Sequence, residues 1–241
     1  MPARPLAGAT IVFDLDGTLV DTAPDIAGAL NGLLIEEGLS LLDLERTKAL
    51  IGGGVRAAVA RGFGDQGRVL DEPSLIALCE RFTVDYRARI AHESRPYPGA
   101  SAALDRLAGD GARLAVCTNK RADFAVALLT ALGLRERFAA VVTPATAGAS
   151  KPDPAHLLAA IARAGGRADR AVMVGDSAFD AAAARAAGVP LVLVDFGYSE
   201  TPARDLAPDV LISHFDALPA ACARLLGIDA EVIAACPEPD A

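Results

Sequence analysis

The chain has 241 residues, of which 52% are hydrophobic and 22% charged, and its formal net charge is −8. This length exceeds that of a usual single domain without reaching two full ones, so we expect one core domain with a smaller insertion. The apolar content argues against a disordered chain. The negative charge argues against a nucleic-acid partner, because such a partner would require a basic face.

The first predicted strand covers residues 10–13, where a short apolar run closed by Asp and Gly is typical of a buried parallel strand. From Thr22 to about Glu93 the pattern is helical throughout. Helices are expected over residues 22–38, 42–50 and 73–90, and a further helical pattern follows the glycine-rich residues 51–56 and runs through Phe63. An all-helical insertion after the first strand of an α/β protein indicates a separate cap.

Helices and strands alternate after the proline-rich linker at residues 95–99. The predicted strands are residues 113–117, 139–142, 171–174, 190–194 and 210–212. The predicted helices are residues 101–108, 123–132, 154–164, 179–187 and 215–226. This alternation predicts an α/β fold, with a Rossmann-like parallel sheet core covered by helices on both faces.

Three regions follow from this pattern. Residues 1–20 and 96–227 are predicted to form the α/β core, and residues 21–95 the inserted helical cap. The remaining residues, 228–241, carry two prolines and four acidic residues and are predicted to be a flexible C-terminal tail.

The cysteines and the N-terminus indicate a cytoplasmic protein. Cys79, Cys117, Cys222 and Cys236 have no metal-ligand or CxxC spacing, so free thiols in a reducing compartment are expected. Residues 1–9 contain no apolar stretch long enough for a signal peptide. No run approaches the ~20 apolar residues that span a bilayer, so we expect no membrane partner.

Polar side chains follow the ends of several predicted strands. They are Asp14 and Asp16, then Thr118 and Asn119, then Lys151 in a loop, and finally Asp176 and Asp180. Because the carboxyl ends of parallel strands meet at one edge of the sheet, these side chains are expected in one crevice. Each has an ordinary alternative when taken alone, such as helix capping or an exposed loop. Their occurrence at successive strand ends favours a shared site.

Several carboxylates with one lysine are typical of a hard-cation site that holds a phosphate. Mg²⁺ prefers carboxylate and phosphate oxygens. A carboxylate can attack phosphorus as a nucleophile, and a neighbour can act as acid and then as base. The alternative from a different class is a phospho-acceptor signalling module, which also carries clustered aspartates and a lysine. Such a module is typically about half this length.

The motifs at residues 14–18 (Asp-Leu-Asp-Gly-Thr), 118–119, 151–152 and 175–180 resemble those of haloacid dehalogenase superfamily phosphatases. The resemblance implies that Asp14 is the nucleophile, Asp16 the general acid and base, and Lys151 a charge-balancing residue. It implies phosphate binding by Thr118 and Asn119. The implied cofactor is Mg²⁺, and the implied metal residues are Asp14, Asp16 through its backbone carbonyl, Asp176 and Asp180.

Within the superfamily, residues 14–26, 52–56, 96–99 and 115–120 resemble phosphoglycolate phosphatases. The resemblance implies Mg²⁺-dependent hydrolysis of 2-phosphoglycolate through an aspartyl-phosphate intermediate. Ala178 and Phe179 depart from it, since phosphoglycolate phosphatases often carry polar residues there. The alternative within the superfamily is another small phosphate ester, such as a nucleotide, a sugar phosphate or pyrophosphate.

The cap carries one candidate substrate-binding segment, at residues 52–56. Successive glycines before a helix expose backbone N–H groups that suit an anion, and an arginine can clamp a carboxylate. We therefore expect Gly53, Gly54 and Arg56 to bind the substrate's carboxylate. The alternative is a flexible hinge with Arg56 in solvent.

The remaining polar residues receive plainer interpretations. His92, His156 and His214 are interpreted as structural or surface residues. Lys120 and Arg121 can draw in anions or form a solvated helix start, and the latter is the interpretation adopted. The expected partner is a small phosphorylated metabolite, and the expected assembly is a monomer or a homodimer.

Overall fold

The computed structural model describes residues 4–228 of the chain. Cys236 and residues 229–241 of the predicted tail lie outside the described residues. The described strands are β1 (Thr10–Phe13), β2 (Val20–Asp21), β3 (Arg95–Pro96), β4 (Arg113–Cys117), β5 (Ala140–Val142), β6 (Ala171–Gly175), β7 (Leu191–Val194) and β8 (Val210–Ile212). Six of them form a parallel sheet in the order β5-β4-β1-β6-β7-β8, which confirms the predicted sheet.

Helices cover the sheet and build the insertion. They are α1 (Ala23–Glu36), α2 (Leu44–Lys48), α3 (Gly54–Asp65), α4 (Glu72–Ala88), α5 (Ala100–Gly109), α6 (Ala122–Ala131), α7 (Pro144–Ala147), α8 (Pro154–Arg163), α9 (Ala178–Ala187) and α10 (Leu218–Leu225). The sequence analysis did not predict α7. No helix within residues 4–228 combines the length and apolar character that a membrane crossing requires.

The central strand β1 explains why both faces of the sheet are covered. Its side chains alternate, so that Ile11 and Phe13 enter one apolar core while Val12 enters the other. The first core includes Leu104 of α5, and the second includes Leu157 of α8. All of β1 is buried, as expected for a parallel strand between two helical layers.

The helical insertion packs around its own apolar cluster. Leu30 of α1, Phe63 of α3 and Phe82 and Tyr86 of α4 are buried together. Phe124 of α6 joins this cluster from the sheet domain, with its ring centroid 5.0 Å from that of Tyr86 in an edge-to-face arrangement. The insertion therefore rests on the first turn of α6. Its boundaries as a separate cap domain stay a prediction.

The insertion begins and ends at a short antiparallel pair of strands that the sequence analysis missed. Val20 of β2 lies opposite Pro96 of β3, and Asp21 lies opposite Arg95. Residues 95–99 were interpreted as a linker because their prolines disfavour a strand interior. Because each strand of the pair is only two residues long, Pro96 lies at a strand end, where its missing N–H is tolerated.

Candidate active site

Two neighbouring strands end in the carboxylates of the site. β1 and β6 lie side by side with Phe13 opposite Val174. Asp14 follows β1, Asp176 follows β6, and Asp180 lies in the first turn of α9. Carboxylate oxygens of these three aspartates lie within 4.8 Å of one another, and all three residues are buried. The structure thus brings three of the four predicted metal residues together through their side chains.

Lys151 places a positive charge inside this cluster. Its Nζ donates a hydrogen bond to Asp180 Oδ1 at 2.7 Å and lies 2.7 Å from Asp14 Oδ1. Burial alone would lower the pKa of Lys151, but the carboxylates of Asp14 and Asp180 outweigh that effect and raise the pKa above its usual range. The lysine therefore stays charged at neutral pH.

The negative charge of the cluster exceeds what Lys151 neutralises. Asp14 Oδ1 is buried without a hydrogen bond in favourable geometry from any group within residues 4–228, so its contact with Lys151 is one of charge. Burial raises the pKa of Asp14 to about 8, against the opposing effect of Lys151. Burial, with the adjacent Asp180 carboxylate, raises the pKa of Asp176 to about 7. A cation in the cluster would relieve this unfavourable crowding.

Asp176 is held from two sides. Thr18 Oγ1 donates a hydrogen bond to its Oδ1 at 2.7 Å, and the backbone N–H of Tyr198 donates to its Oδ2 at 2.8 Å. The Tyr198 hydroxyl in turn accepts hydrogen bonds from the N–H groups of Thr22 and Ala23, at 2.7 and 2.9 Å. Tyr198 therefore connects this carboxylate to the start of α1.

Asp180 has less capacity left for a metal ion than its neighbours. Its Oδ1 accepts from Lys151, and its Oδ2 accepts from the hydroxyl of Ser177 at 2.7 Å and from the Ser177 N–H at 3.1 Å. Ser177 and Asp180 form a capping box at the start of α9. The geometry therefore assigns Asp180 the task of holding Lys151 and the helix start.

The Asp16 side chain stands apart from the three-carboxylate cluster. Its Oδ1 accepts hydrogen bonds from Thr22 Oγ1 at 2.7 Å and from Lys120 Nζ at 2.8 Å. Lys120 is only 7% exposed, and its Nζ lies 4.8 Å from the centroid of the Tyr86 ring. The interpretation of Lys120 as part of a solvated helix start is therefore wrong, because the insertion covers it.

The two predicted phosphate-binding residues occupy different roles. Thr118 is buried at the end of β4, and its hydroxyl accepts a hydrogen bond from the N–H of Lys120 at 3.1 Å, which leaves the hydroxyl proton to donate. The amide of Asn119 is engaged with backbone groups: it donates to the carbonyls of Gly52 and Lys151 and accepts from the Lys151 N–H. Asn119 thus connects the insertion to the loop of Lys151.

A small cavity of about 60 Å³ opens above these side chains. Its floor includes Asp14, Asp16 and Thr118, and its wall includes Lys120 and Tyr86. Further apolar wall comes from Ile26, Ile51, Val55, Ala58, Phe82 and Phe124. Since the insertion supplies most of this wall, the cavity lies at the junction of the two parts of the chain, as small-molecule sites commonly do.

The profile of the haloacid dehalogenase-like hydrolase family matches residues 11–194, which is more than half of the chain. The chain belongs to this family. It is 48% identical to a phosphoglycolate phosphatase of Caulobacter vibrioides over 98% of this chain and 96% of the relative. It is 46% identical to a phosphoglycolate phosphatase of Agrobacterium fabrum over 90% of this chain and 93% of the relative.

Solved structures show the same haloacid dehalogenase-like fold. A predicted phosphoglycolate phosphatase from Haemophilus somnus superposes with a TM-score of 0.82 at 28% identity, covering 90% of this chain and 98% of its own. CbbY from Rhodobacter sphaeroides, solved in complex with phosphate, superposes with a TM-score of 0.73 at 26% identity, covering 87% and 96%. The fold class and the family resemblance predicted from the sequence are confirmed.

In this haloacid dehalogenase-like hydrolase, the predicted cap segment lies between two cavities, and Gly54 lines both of them. Gly54 lines the small cavity, with a φ of 80° that favours glycine. Gly53 and Arg56 line a neighbouring, shallower cavity of about 610 Å³. Arg56 is exposed and pairs with Glu72 of α4, with Nη1 3.0 Å from Oε1. The structure does not support the predicted contact of Arg56 with substrate, because the Arg56 guanidinium pairs with the Glu72 carboxylate.

Tyr198 of the hydrolase site was not predicted from the sequence, and the contacts that Lys120 and His156 make there were not predicted either. Lys120 and Tyr198 act on the aspartates from remote parts of the chain, so no local spacing reveals them. His156, interpreted as structural or surface, is fully buried, and its Nδ1 accepts a hydrogen bond from the Lys151 N–H at 3.2 Å. Burial, reinforced by the charge of Lys151, lowers the pKa of His156 to about 4, so the ring is neutral and serves as an acceptor.

Proposed function

We propose that this protein is a Mg²⁺-dependent phosphatase that hydrolyses 2-phosphoglycolate to glycolate and phosphate. The observation that carries the proposal is the pair of relatives named phosphoglycolate phosphatase, which align along almost all of the chain at 46–48% identity. The small volume of the cavity supports a substrate with a short organic group. The buried carboxylate cluster, of which Asp14 lines the cavity, supports phosphoryl chemistry.

Asp14 is the proposed nucleophile. A carboxylate oxygen of Asp14 attacks phosphorus, the bond to the ester oxygen breaks, and an aspartyl phosphate forms with release of glycolate. The role suits Asp14 because it lines the cavity and carries a buried oxygen without a hydrogen bond. Lys151, at 2.7 Å, favours its ionised form and offsets the charge that gathers on the phosphoryl oxygens.

Asp16 is the proposed acid and base. In the first step it gives a proton to the departing ester oxygen, and in the second it takes one from the water that cleaves the aspartyl phosphate. Thr22 and Lys120 fix the position of its carboxylate at the cavity wall. The free hydroxyl proton of Thr118 is the proposed donor to a phosphoryl oxygen.

The chemistry of the carboxylate cluster fits a divalent metal ion. The buried carboxylates of Asp14, Asp176 and Asp180 surround the ammonium group of Lys151, and the pKa values of Asp14 and Asp176 are raised, so the cluster has more negative charge than Lys151 neutralises. We propose that Asp14 and Asp176 hold Mg²⁺ with the backbone carbonyl of Asp16, and that Asp180 supports them through Lys151. When bound, Mg²⁺ would neutralise the carboxylates and polarise the phosphoryl group.

The deciding experiment is a steady-state comparison of kcat/KM for 2-phosphoglycolate, a nucleotide, a sugar phosphate and pyrophosphate, with Mg²⁺ and then with a chelator. We expect 2-phosphoglycolate to be the preferred substrate and the chelator to abolish turnover. A different preferred ester would overturn the substrate and retain the aspartate chemistry. Phosphorylation of the protein without repeated turnover would favour the signalling-module alternative.

The nucleophile has a separate test. Asp14→Asn keeps the side chain's shape and removes the attacking charge, so we expect kcat to fall by at least about a thousandfold, as when other enzymes lose their nucleophile. Asp195→Asn is the matched control, since Asp195 is an exposed aspartate directly after β7. We expect the control to keep its activity. Comparable activity in the two variants would remove Asp14 from the mechanism.

We also propose a cytoplasmic enzyme, monomeric or homodimeric, that acts on a small metabolite without a nucleic-acid or membrane partner. The net charge of −8 and the buried free thiols of Cys117 and Cys222 support this proposal. Light scattering at micromolar concentration would measure the assembly state. A larger oligomer would contradict that part of the proposal.

A further inference from the structure

A second buried cation, Lys120, lines the cavity, and its contact with Asp16 occupies only part of its hydrogen-bonding capacity. Lys151 already lies against Asp14, whereas Lys120 lines the wall on the side of the insertion. The ammonium group of a lysine has three N–H donors. Within the described residues, Lys120 Nζ donates one well-formed hydrogen bond, to Asp16 Oδ1 at 2.8 Å, and lies beside the Tyr86 hydroxyl. It therefore retains donor capacity for a ligand in the cavity.

A second polar group lies beside Lys120. The hydroxyl of Tyr86 is buried and makes no hydrogen bond in favourable geometry within residues 4–228, although the Lys120 ammonium lies next to it, and Tyr86 is only 1% exposed. Leaving a buried hydroxyl without a partner is costly. Because Tyr86 also lines the cavity, a polar group of a bound ligand would satisfy this hydroxyl.

The rest of the wall on that side offers a ligand little else that is polar. Ile26, Val55, Phe82 and Phe124 are hydrophobic side chains that line the cavity. The other cation there, Arg121, has a side chain that is 49% exposed and is already engaged with Asp123. A second anionic group on the substrate would thus meet one buried cation with spare donors.

We propose that the Lys120 ammonium and the Tyr86 hydroxyl bind the carboxylate of the substrate and thereby select phosphoglycolate over phosphate esters that lack a carboxylate. This inference rests on the proposed function. It assigns to α4 and to the start of α6 the task that the sequence analysis gave to Arg56. It also gives Lys120 two contacts at once, one with Asp16 and one with the substrate.

The two contacts can be separated by choice of substrate. Ethyl phosphate matches 2-phosphoglycolate in chain length but carries a methyl group in place of the carboxylate. A change in Asp16 affects both esters, and it affects ethyl phosphate at least as much because ethoxide is the poorer leaving group, so it does not lower the ratio of kcat/KM for 2-phosphoglycolate to that for ethyl phosphate. A change in carboxylate binding affects only 2-phosphoglycolate and therefore alters the ratio.

The test measures this ratio in the wild-type enzyme, Lys120→Met and Tyr86→Phe with Mg²⁺ present. We expect Lys120→Met to lower the ratio by about 10- to 100-fold, the range for a lost charge-assisted hydrogen bond, chiefly through the KM for 2-phosphoglycolate. We expect Tyr86→Phe to lower it by about 2- to 10-fold. Tyr86→Phe removes only a hydroxyl that makes no hydrogen bond in favourable geometry, so its fold should be unaffected even if Lys120→Met is unstable.

The controls use the other cations of the chain. Lys48→Met repeats the same substitution on α2, where Lys48 pairs with Glu45, and should leave the ratio unchanged. Lys120→Arg should restore part of the ratio lost in Lys120→Met, because it restores the charge. A lower ratio in Arg56→Ala or Arg121→Met, together with an unchanged ratio in Lys120→Met, would overturn the proposal. It would show that the arginine concerned binds the carboxylate.

Failure of this inference and failure of the proposed function give different results. A fall in kcat/KM in Lys120→Met that is at least as large for ethyl phosphate as for 2-phosphoglycolate means that Lys120 only positions Asp16, and this overturns the inference alone. A wild-type enzyme that does not distinguish the two esters overturns the proposed function, and the inference with it. A wild-type preference that both variants retain overturns the inference and leaves the proposed function intact.

Discussion

Three glycines pack so closely against the carboxylate cluster that they fix its geometry. A Cβ at Gly17 would lie 2.5 Å from Asp176 Oδ2, and a Cβ at Gly197 would overlap the Asp176 side chain. At Gly175, a Cβ would overlap the Asp180 side chain. The absence of side chains at these positions therefore lets the two carboxylates approach the ends of β1 and β6.

Gly175→Ala tests this packing. The added methyl group would displace Asp180, and Lys151 with it, so we expect kcat to fall by about 10- to 100-fold, in line with the cost of small misplacements in active sites. The Mg²⁺ concentration for half-maximal activity should rise. Gly109→Ala is the matched control, because nothing lies within 4 Å of a Cβ at that position in α5. Equal activity in the two variants would show that the cluster tolerates the displacement.

Local sequence patterns identified the residues at strand ends but not their partners. Asp14, Lys151 and Asp176 could be predicted because the strand–helix alternation places them at one edge of the sheet. Tyr198 could not be predicted, because it reaches Asp176 from 22 positions away along the chain through its backbone N–H. Lys120 was misassigned because its exposure depends on how α4 packs over it, which no local pattern reports.

At the scale of elements, the buried carboxylate of Asp25 ties α1 to the end of the insertion. It accepts hydrogen bonds from the hydroxyl of Ser94 at 2.6 Å, from the Ser94 N–H at 2.8 Å and from the Glu93 N–H at 3.0 Å. Asp25 is only 2% exposed. The first turn of α1 and the segment that enters β3 are therefore held as one unit.

Asp25→Asn should destabilise this junction. The asparagine side chain would place an N–H donor where Asp25 has an acceptor oxygen, opposite the donors of Ser94 and Glu93. We therefore expect the free energy of unfolding, measured by urea denaturation, to fall by roughly 2–4 kcal/mol. Asp71→Asn is the matched control. Asp71 caps α4 in an exposed position, and asparagine caps as well as aspartate, so a change under about 0.5 kcal/mol is expected. Equal losses would contradict the anchoring role of Asp25.

Element boundaries could be predicted from the sequence where a single residue ends an apolar pattern. The predicted strand at residues 10–13 has the bounds of β1, because Asp14 ends an apolar run that both helical layers bury. The β2–β3 pair escaped prediction because Pro96 disfavours a strand and because two residues give no alternation to detect. Its pairing depends on where α1 and α4 bring the chain back.

At the scale of the whole molecule, the carboxylate cluster links stability to pH and to Mg²⁺. The pKa values of Asp14 and Asp176, about 8 and about 7 without metal, lie above their unfolded values. The folded metal-free protein therefore binds more protons than the unfolded chain between about pH 4 and pH 8, and its free energy of unfolding falls as the pH rises through that window. The proposed Mg²⁺ would bind the deprotonated carboxylates and would oppose this fall.

Thermal unfolding with and without Mg²⁺ measures this linkage. We expect the Tm of the metal-free protein to fall between pH 5.5 and pH 8.5, and the gain in Tm from Mg²⁺ to grow by a few degrees over the same range, equivalent to about 1–2 kcal/mol. Asp176→Asn should remove most of the Mg²⁺ gain at every pH. A gain that does not vary with pH would show that the cluster is already ionised without metal.

The β2–β3 pair has a consequence for how this chain can vary. Because Val20 lies opposite Pro96, the polypeptide leaves the sheet domain and returns to it at adjacent points, with the whole insertion between them. The distance that any replacement segment must bridge is therefore short, whatever its length, and the cost of closing a longer loop grows only slowly with length. Descendants of this gene could exchange residues 22–94 for another module and keep the proposed catalytic aspartates in register. Substrate range and reaction chemistry can thus evolve on separate parts of one chain.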